Sequence, residues 1–415
     1  MEFFMPRVKT EKTIKWGRYL DNSMLFLGAA VPVGIVIGNA GFEAMIALTG
    51  LAWLVRAGIL RENPFSRIAA NPAFLAWTAW FFCIVASLAI NGAGSKGAGH
   101  DIVFIRFLLF VCALLDLSTR RSIGRYFVWG LAAGVLFAGV NIIMVYGVGV
   151  DLFGRSLERY ALKLKESARF AGICAMAAPF FLAWALTART EKSTVRMPLF
   201  AIGAVALVIL VQTTIRTAII ASFFGIIFAV FISRYKKMGW AEKMVLPVLL
   251  AAGIWITVQY VEGWNLRTVY DRIAIWRISV AMWQEHFFLG VGVSAYMDMY
   301  AEFAGSGAVS PYVAPTGQVF DIQKAYHAHN LFLMLLSCTG ILGLFSFLMV
   351  FASCIWAVVK NSTPWQFGLA AWPVVFLVNG LAGSNIYSSW YQALFAFFAV
   401  LALTGNGSAK PVSQQ

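Results

Sequence analysis

Tyr326-His327-Ala328-His329-Asn330 runs directly into an apolar stretch, Leu331 to Val350, and the length of that stretch decides the fold class. About 20 apolar residues are what an α-helix needs to cross the hydrocarbon core of a bilayer. Outward from this segment, runs of similar length recur along the 415 residues, which are 60% hydrophobic and 12% charged with mean hydropathy +0.77. The pattern predicts an all-α polytopic membrane protein forming a single transmembrane domain over 1–415. It has about twelve spans, near 20–38, 41–58, 73–91, 102–118, 123–148, 169–187, 197–213, 216–233, 244–262, 329–358, 366–383 and 388–405. The basic N-terminal segment leads into a long apolar run with no small-residue cleavage site, so it reads as a first helix and not as a removed signal.

Charge gives the orientation. Arg7, Lys9, Lys12, Lys15 and Arg18 precede the first span. Arg56, Arg61 and Arg67, then Arg120, Arg121 and Arg125, then Arg189, Lys192 and Arg196, then Arg234, Lys236, Lys237 and Lys243 follow every second span. The positive-inside rule places these segments, and both termini, in the cytoplasm. Topogenic residues of this kind account for most of the net charge of +14. No basic stripe interleaved with aromatics lies outside the apolar segments, which argues against nucleic acid as a partner. The five cysteines all fall inside apolar runs without ligand spacing, so neither a disulfide framework nor a metal cluster is expected.

On the opposite face, cations run against the orientation rule. Arg155, Arg159, Lys163 and Lys165 occupy one external gap, and Arg169 opens the next helix. Arg216 starts another helix beside Thr213, Thr214 and Thr217. The gap 263–328, between the ninth and tenth spans, carries Arg267, Arg272, Arg277 and Lys324. This gap is the one long loop, and loops of that size are usually binding elements or lids. Tyr270 to His286 reads as an amphipathic helix with Ile273, Trp276, Val280 and Trp283 on its apolar face. Gly305 to Gly317 is rich in glycine, serine and proline and reads as the part that opens.

The chain has four histidines, and His327 and His329 both sit at the mouth of the 331–350 helix. A titratable group at such a position is a candidate functional residue. Extending the helix back to His329, at about 100° per residue Gly340 lies about 20° to one side of it and Gly343 about 40° to the other. His329 would then share a face with two glycines that admit a second helix, while His327 would face elsewhere. No phosphate-binding loop, dinucleotide fingerprint or zinc-protease motif is present. No carboxylate pair outside the membrane has metal-binding spacing, since Asp298, Glu302 and Asp321 are spread along the loop. Few acidic residues lie inside the spans, which weighs against an ion-coupled transporter. One imidazole able to take a proton from a hydroxyl, with arginines whose planar forks fit diphosphate oxygens, suits displacement of a diphosphate by an alcohol.

The sequence His329-Asn330, nine residues, Gly340, two residues, Gly343 resembles the signature of O-antigen ligases, the enzymes that join surface polysaccharide to lipid A-core. Arg216 in Thr-Thr-Ile-Arg-Thr is similar to the family's arginine at an external helix start. Arg272, with Trp276 and Gly290-Val291-Gly292, is similar to the arginine of its large periplasmic loop, and Arg169, with Phe170 and Gly172, to a third. The resemblance spans about residues 165–405 and departs at Phe287-Phe288-Leu289, where relatives often carry a proline before the glycine. It implies a GT-C-type, inverting, metal-independent glycosyltransferase of the bacterial inner membrane that needs no cofactor. Its active site would face the periplasm, with undecaprenyl-diphosphate-linked glycan as donor and lipid A-core as acceptor. His329 would be the catalytic base, and Arg216, Arg272 and Arg169 would hold the diphosphate. Asn330, His327, Trp276, Arg277, Lys324, Arg155 and Arg159 would support them, with Gly340 and Gly343 for helix packing. O-antigen polymerases and the usually longer protein O-oligosaccharyltransferases share the signature and are the alternatives, with a transporter behind them.

Overall fold

A computed structural model describes residues 10–154, 168–188, 192–235, 238–239, 266–361, 364–381, 383 and 386–404. The chain is a bundle of long helices: α1 (Glu11–Ile37), α2 (Asn39–Leu60), α3 (Pro72–Asn91), a short α4 (Ala98–Ile102), α5 (Ile105–Ser118), α6 (Gly124–Val148), α7 (Ala168–Thr187), α8 (Ser193–Gln212) and α9 (Arg216–Arg234). After residues 240–265 come α10 (Leu266–Glu285), α11 (Tyr296–Gly305), a two-stranded hairpin (β1 Tyr312–Val313, β2 Val319–Phe320), α12 (Leu331–Asn361), α13 (Pro364–Leu369), α14 (Ala371–Gly380) and α15 (Ser389–Thr404). Local chemistry sets several starts. Asn71 Oδ1 accepts from Ala73 N at 2.9 Å with Pro72 at the first helical position, the preferred way to open a helix.

Eight of the described helices are long and apolar enough to cross a membrane: α1, α2, α3, α6, α7, α8, α9 and α12. Exposed apolar side chains on these helices, such as Phe26, Phe82, Ile143 and Val208, fit a lipid-facing surface. The protein is an all-α polytopic membrane protein. Three expected spans take other forms. The 102–118 segment is a five-residue helix followed by the 14-residue α5, 366–383 is divided into α13 and α14, and 388–405 is the 16-residue α15. The expected 244–262 span lies outside the described residues.

The basic residues following α2 and α5 do more than orient the chain. Arg120 bridges Asp21 of α1 at 2.7 Å and Asp116 of α5 at 2.8 Å. Arg67 reaches the same Asp116, Arg56 pairs with Glu62 at 3.1 Å, and Trp53 Nε1 donates to Asp116 Oδ2 at 3.0 Å. Asp21, Arg56 and Asp116 are buried. Such a network ties α1, α2 and α5 together at one end of the bundle, because stripping any one partner leaves a buried charge uncompensated.

At the other end, α12 is broken. Gly340 has φ 63°, ψ −165°, so residues 331–339 and 341–361 form two half-helices. The break is healed by residues 287–292. Val291 N donates to Ser337 O at 2.7 Å and Gly292 N to Cys338 O at 3.0 Å, satisfying the last carbonyls of the first half. Ile341 N and Leu342 N donate to Phe287 O and Phe288 O, satisfying the first amides of the second half. Gly290 O in turn accepts from Ser87 Oγ at 3.2 Å and Asn91 Nδ2 at 2.8 Å, which fastens the junction to α3.

This geometry corrects the helical-face reading of His329, Gly340 and Gly343. The 100° arithmetic fails because the helix starts only at Leu331 and is interrupted at Gly340. Gly340 faces the backbone of Phe288 and Leu289, and Gly343 faces the Thr339 side chain, so neither packs against a second helix. The α10 stripe is corrected too. Ala274, Ile275, Ile278 and Met282 are buried, whereas Ile273, Trp276, Val280 and Trp283 are half-exposed. The helix is turned because Ser279, on its inner face, is engaged by both Ser337 Oγ and the Tyr296 hydroxyl. Finally, the 305–317 stretch contributes to the β-hairpin, whose Tyr312 and Phe320 rings pack on Tyr270 of α10.

Gly340→Ala is expected to be strongly destabilising. The positive φ costs about 1–3 kcal/mol, and the new methyl would overlap the Phe288 carbonyl. Gly92→Ala, at φ 75° with open space around it, should show the φ cost alone. Unfolding midpoints of both variants in one detergent check the difference. Equal shifts would show that the backbone crossing at Gly340 is soft.

Candidate functional site

The site is built around the residues that open α12. Asn330 is the cap: its Oδ1 accepts from Phe332 N at 2.9 Å and Leu333 N at 3.1 Å. Its Nδ2 donates to Leu381 O at 3.2 Å, just beyond α14, and Leu331 packs on Gly380. His329 precedes the cap with φ 50°, a left-handed conformation that a non-glycine residue rarely adopts. This turn brings the His329 ring beside that of His327, centroids 4.0 Å apart. His327 therefore does not face elsewhere; an extended and then reversed backbone pairs the two rings, whereas a helix would have separated them.

Between the histidines Ala328 is fully buried, and its carbonyl accepts from Trp276 Nε1 at 2.9 Å. Arg272 lies one turn earlier on α10, so the Trp276 anchor sets the distance between its guanidinium and the imidazoles. Burial lowers the His329 pKa most, His327 next and Arg272 third, to about 4. His327 is lowered by burial, then by Lys96, then by Arg272. A desolvated ring among cations resists becoming an imidazolium, so at neutral pH His329 is a neutral proton acceptor. Arg272 is itself pushed down by burial, which leaves a partly desolvated cation facing the site.

Arg216 begins α9 at the same end. Its neighbour Thr217 donates to Asn379 Oδ1 at 3.2 Å, on the last turn of α14, two residues from the Leu381 carbonyl that holds Asn330. The end of α14 thus joins the starts of α9 and α12, two helix N-termini that favour anions. Arg169 opens α7 in a neighbouring cluster: Glu43 acts on its charge and also pairs with Arg106 at 3.5 Å, and Arg106 Nη2 donates to Ser389 Oγ at 3.0 Å. Arg277 is turned to the hairpin, lining a small cleft with Ser310 and Asp321, and Lys324 is exposed on the approach to His327. Arg155 and Arg159 lie outside the described residues. Among the described residues no three His, Cys, Asp or Glu side chains converge as a metal-binding group.

Lys96 is the residue that sequence reasoning passed over. It sits in Gly92-Ala93-Gly94-Ser95-Lys96-Gly97, and the excess of glycine around a lone external lysine was the available signal. The loop is clamped to the element after the Gly290 junction: Ser95 N donates to Asp298 Oδ2 at 2.5 Å, and Gly94 N to Ser294 Oγ at 3.4 Å. Ser294 Oγ also donates to the buried Asp101 at 3.0 Å. These contacts bring the charge of Lys96 to bear on His327, 231 positions away in sequence.

A neutral imidazole near a half-buried arginine, at the mouth of a broken helix, can take a proton while cations hold an anion. Residues 201–348 match the family model described as O-antigen ligase. That match covers about a third of the chain and supports a likeness of this stretch to O-antigen ligases. The matched stretch includes Arg216, Arg272, Trp276, His327, His329, Gly340 and Gly343, whereas Arg169 and Lys96 lie before it. A comparison with curated proteins gives no match.

Removing the cation beside the rings is expected to raise the pKa of His329. In Arg272→Gln the imidazolium loses an unfavourable neighbour, so half-protonation should move from about 4 toward the ordinary 6.5. Titration of ¹⁵N-histidine signals, with the His329→Gln spectrum for assignment, measures it. A shift downward, or none, would remove Arg272 from the electrostatics of the ring.

Proposed function

We propose that the protein transfers a glycan from undecaprenyl diphosphate to a sugar hydroxyl of lipid A-core, at the periplasmic face of the bacterial inner membrane. The observation that carries this reading is the Trp276–Ala328 hydrogen bond, which ties α10, the helix of Arg272, to the turn that pairs His327 with His329. His329 takes the acceptor hydroxyl proton as the oxygen attacks the anomeric carbon. The bond from that carbon to the diphosphate oxygen breaks on the opposite face, so the configuration inverts. Undecaprenyl diphosphate leaves with its added negative charge held by Arg272 and Arg216, with Arg169 further out. Arginine suits this role because its fork bonds two phosphate oxygens at once. Charge stabilisation by arginine makes a metal unnecessary for departure of the diphosphate.

A pKa of about 4 makes His329 a weak base in the empty site, and general bases work best with pKa near the working pH. The donor supplies the correction. Its diphosphate offsets the field of Arg272, which favours the imidazolium and raises the pKa once donor is bound. His329 thus becomes a stronger base as the donor arrives.

Five outcomes test the reading with purified protein, lipid-linked glycan and rough lipopolysaccharide. His329→Ala should lower transfer by about 10²–10⁴-fold while the lipid donor still binds; substantial residual transfer would remove His329 from the chemistry. Arg272→Lys and Arg216→Lys should both impair transfer, and silent substitutions at both would dismiss the diphosphate clamp. The acid limb of kcat should lie at higher pH than that of kcat/KM, because kcat reports the donor-bound enzyme; coincident limbs would show that the donor leaves His329 untouched. Transfer should persist in EDTA, and activity restored specifically by magnesium or manganese would contradict the arginine-only account. Chain growth on the lipid carrier, without transfer to lipid A-core, would identify a polymerase.

A further inference from the structure

At the bundle end opposite His329, the starts of α6 and α8 diverge around the last turns of α7 and α15 and the short α13. They leave a cavity of about 460 Å³ that is open on one side. Its floor is aromatic: Phe181 and Trp184 of α7 and Trp365 of α13, with Val128 and Ala132 of α6 on one wall. The helices that flank it carry exposed apolar side chains on their outer surfaces, including Trp129 at 70% and Met197 at 67% exposure, so the opening faces hydrocarbon. An unfilled apolar space of this size forfeits dispersion contacts along its whole lining, and water gains no hydrogen-bond partners on an aromatic floor.

The rim gives the occupant its second property. Arg125, one residue into α6, lines the mouth together with Ser122, Thr194 and Thr404, all of them at helix ends. Arg125 is stacked over the Tyr126 ring and donates to its hydroxyl at 2.8 Å. Among the described residues no carboxylate lines the cavity, and at this end Asp21, Glu62 and Asp116 are already bridged by Arg56, Arg67 and Arg120. Lys192 and Arg196 stand next to Thr194. Trp129 beside the mouth is of the kind that settles at the headgroup level. A cationic, hydroxyl-rich rim over an apolar slot is complementary to an anionic headgroup above an acyl chain.

We propose that this groove is a structural binding site for one anionic phospholipid of the leaflet opposite the catalytic end. Its acyl chain lies against Phe181, Trp184 and Trp365, and its phosphate lies on Arg125. The lipid would wedge α6, α7 and α8 at a fixed separation.

The test is native mass spectrometry of the full chain. The protein is released from micelles containing equimolar palmitoyl-oleoyl phosphatidylglycerol and phosphatidylcholine, with thermal melting as the check on folding. Wild type should retain one phosphatidylglycerol about fivefold in preference to phosphatidylcholine, the weight of one arginine against an anionic headgroup. Arg125→Gln should abolish the preference and Arg125→Lys should keep most of it, both on a folded protein at an exposed position. Ala132→Trp, which fills the slot, should lose the retained lipid of either kind. Equal retention of the two lipids by wild type, or an unchanged preference in Arg125→Gln, would mean ordinary boundary lipid and overturn the proposal. No retained lipid, with a cysteine at Val128 protected from a membrane-soluble maleimide, would assign the groove to the chain's own residues 405–415 and also overturn it.

Discussion

The break of α12 at Gly340 is the constraint on which the rest of the catalytic end depends. A helix interrupted inside a bundle exposes amides on one side of the break and carbonyls on the other, and in an apolar setting each unpaired group is costly. Here the debt is met by one short segment, 287–292, whose carbonyls serve the second half-helix and whose amides serve the first. The crossing is possible only because Gly290 and Gly340 have no side chains where the two backbones meet. The large loop is therefore not draped over the bundle. Its α10 is held at Ser279 and at the 287–292 junction, and Arg272 inherits its position from those two fixed points.

A second consequence concerns charge. Breaking and capping α12 at this end puts a helix N-terminus directly after His329, and α9 contributes another beside Arg216. Both favour anions, as do Arg272 and Lys96. Burial first, then His327 and Arg272, oppose protonation of His329. An anion held by Arg272 would offset that cation's share of the shift and leave the share of burial in place.

Much of this was legible in the sequence because membrane segments announce themselves by length. The edges of α2, α3, α6, α7 and α9 fall within a few residues of the apolar runs, and the pairing of a histidine with a helix mouth was visible at Asn330. What sequence periodicity could not supply was any non-helical geometry. The angular relation of His329 to Gly340 assumed an unbroken helix, yet glycine at position 340 is compatible with either a packing face or a break. Only the donors and acceptors of residues 287–292 decide between them. The same holds for His327, whose ring meets His329 because φ at position 329 is 50°. Lys96 and Arg106 were missed for a different cause: each acts through tertiary neighbours, Asp298 and Ser294 for the Lys96 loop, Glu43 and Ser389 for Arg106, that no local pattern connects.

The two ends of the bundle divide the work by different physics. One end is fixed by buried ion pairs around Asp21 and Asp116, where each of these carboxylates is matched by arginine. At the other end Arg272 and Lys96 act on the paired histidines, Arg216 begins α9, and Glu43 pairs with Arg106. α5 joins the two, with Arg106 at one end of its 14 residues and Asp116 near the other. Carboxylates bridged by guanidinium groups make the scaffold at one end, whereas at the other burial and the nearby Arg272 oppose protonation of the paired histidines.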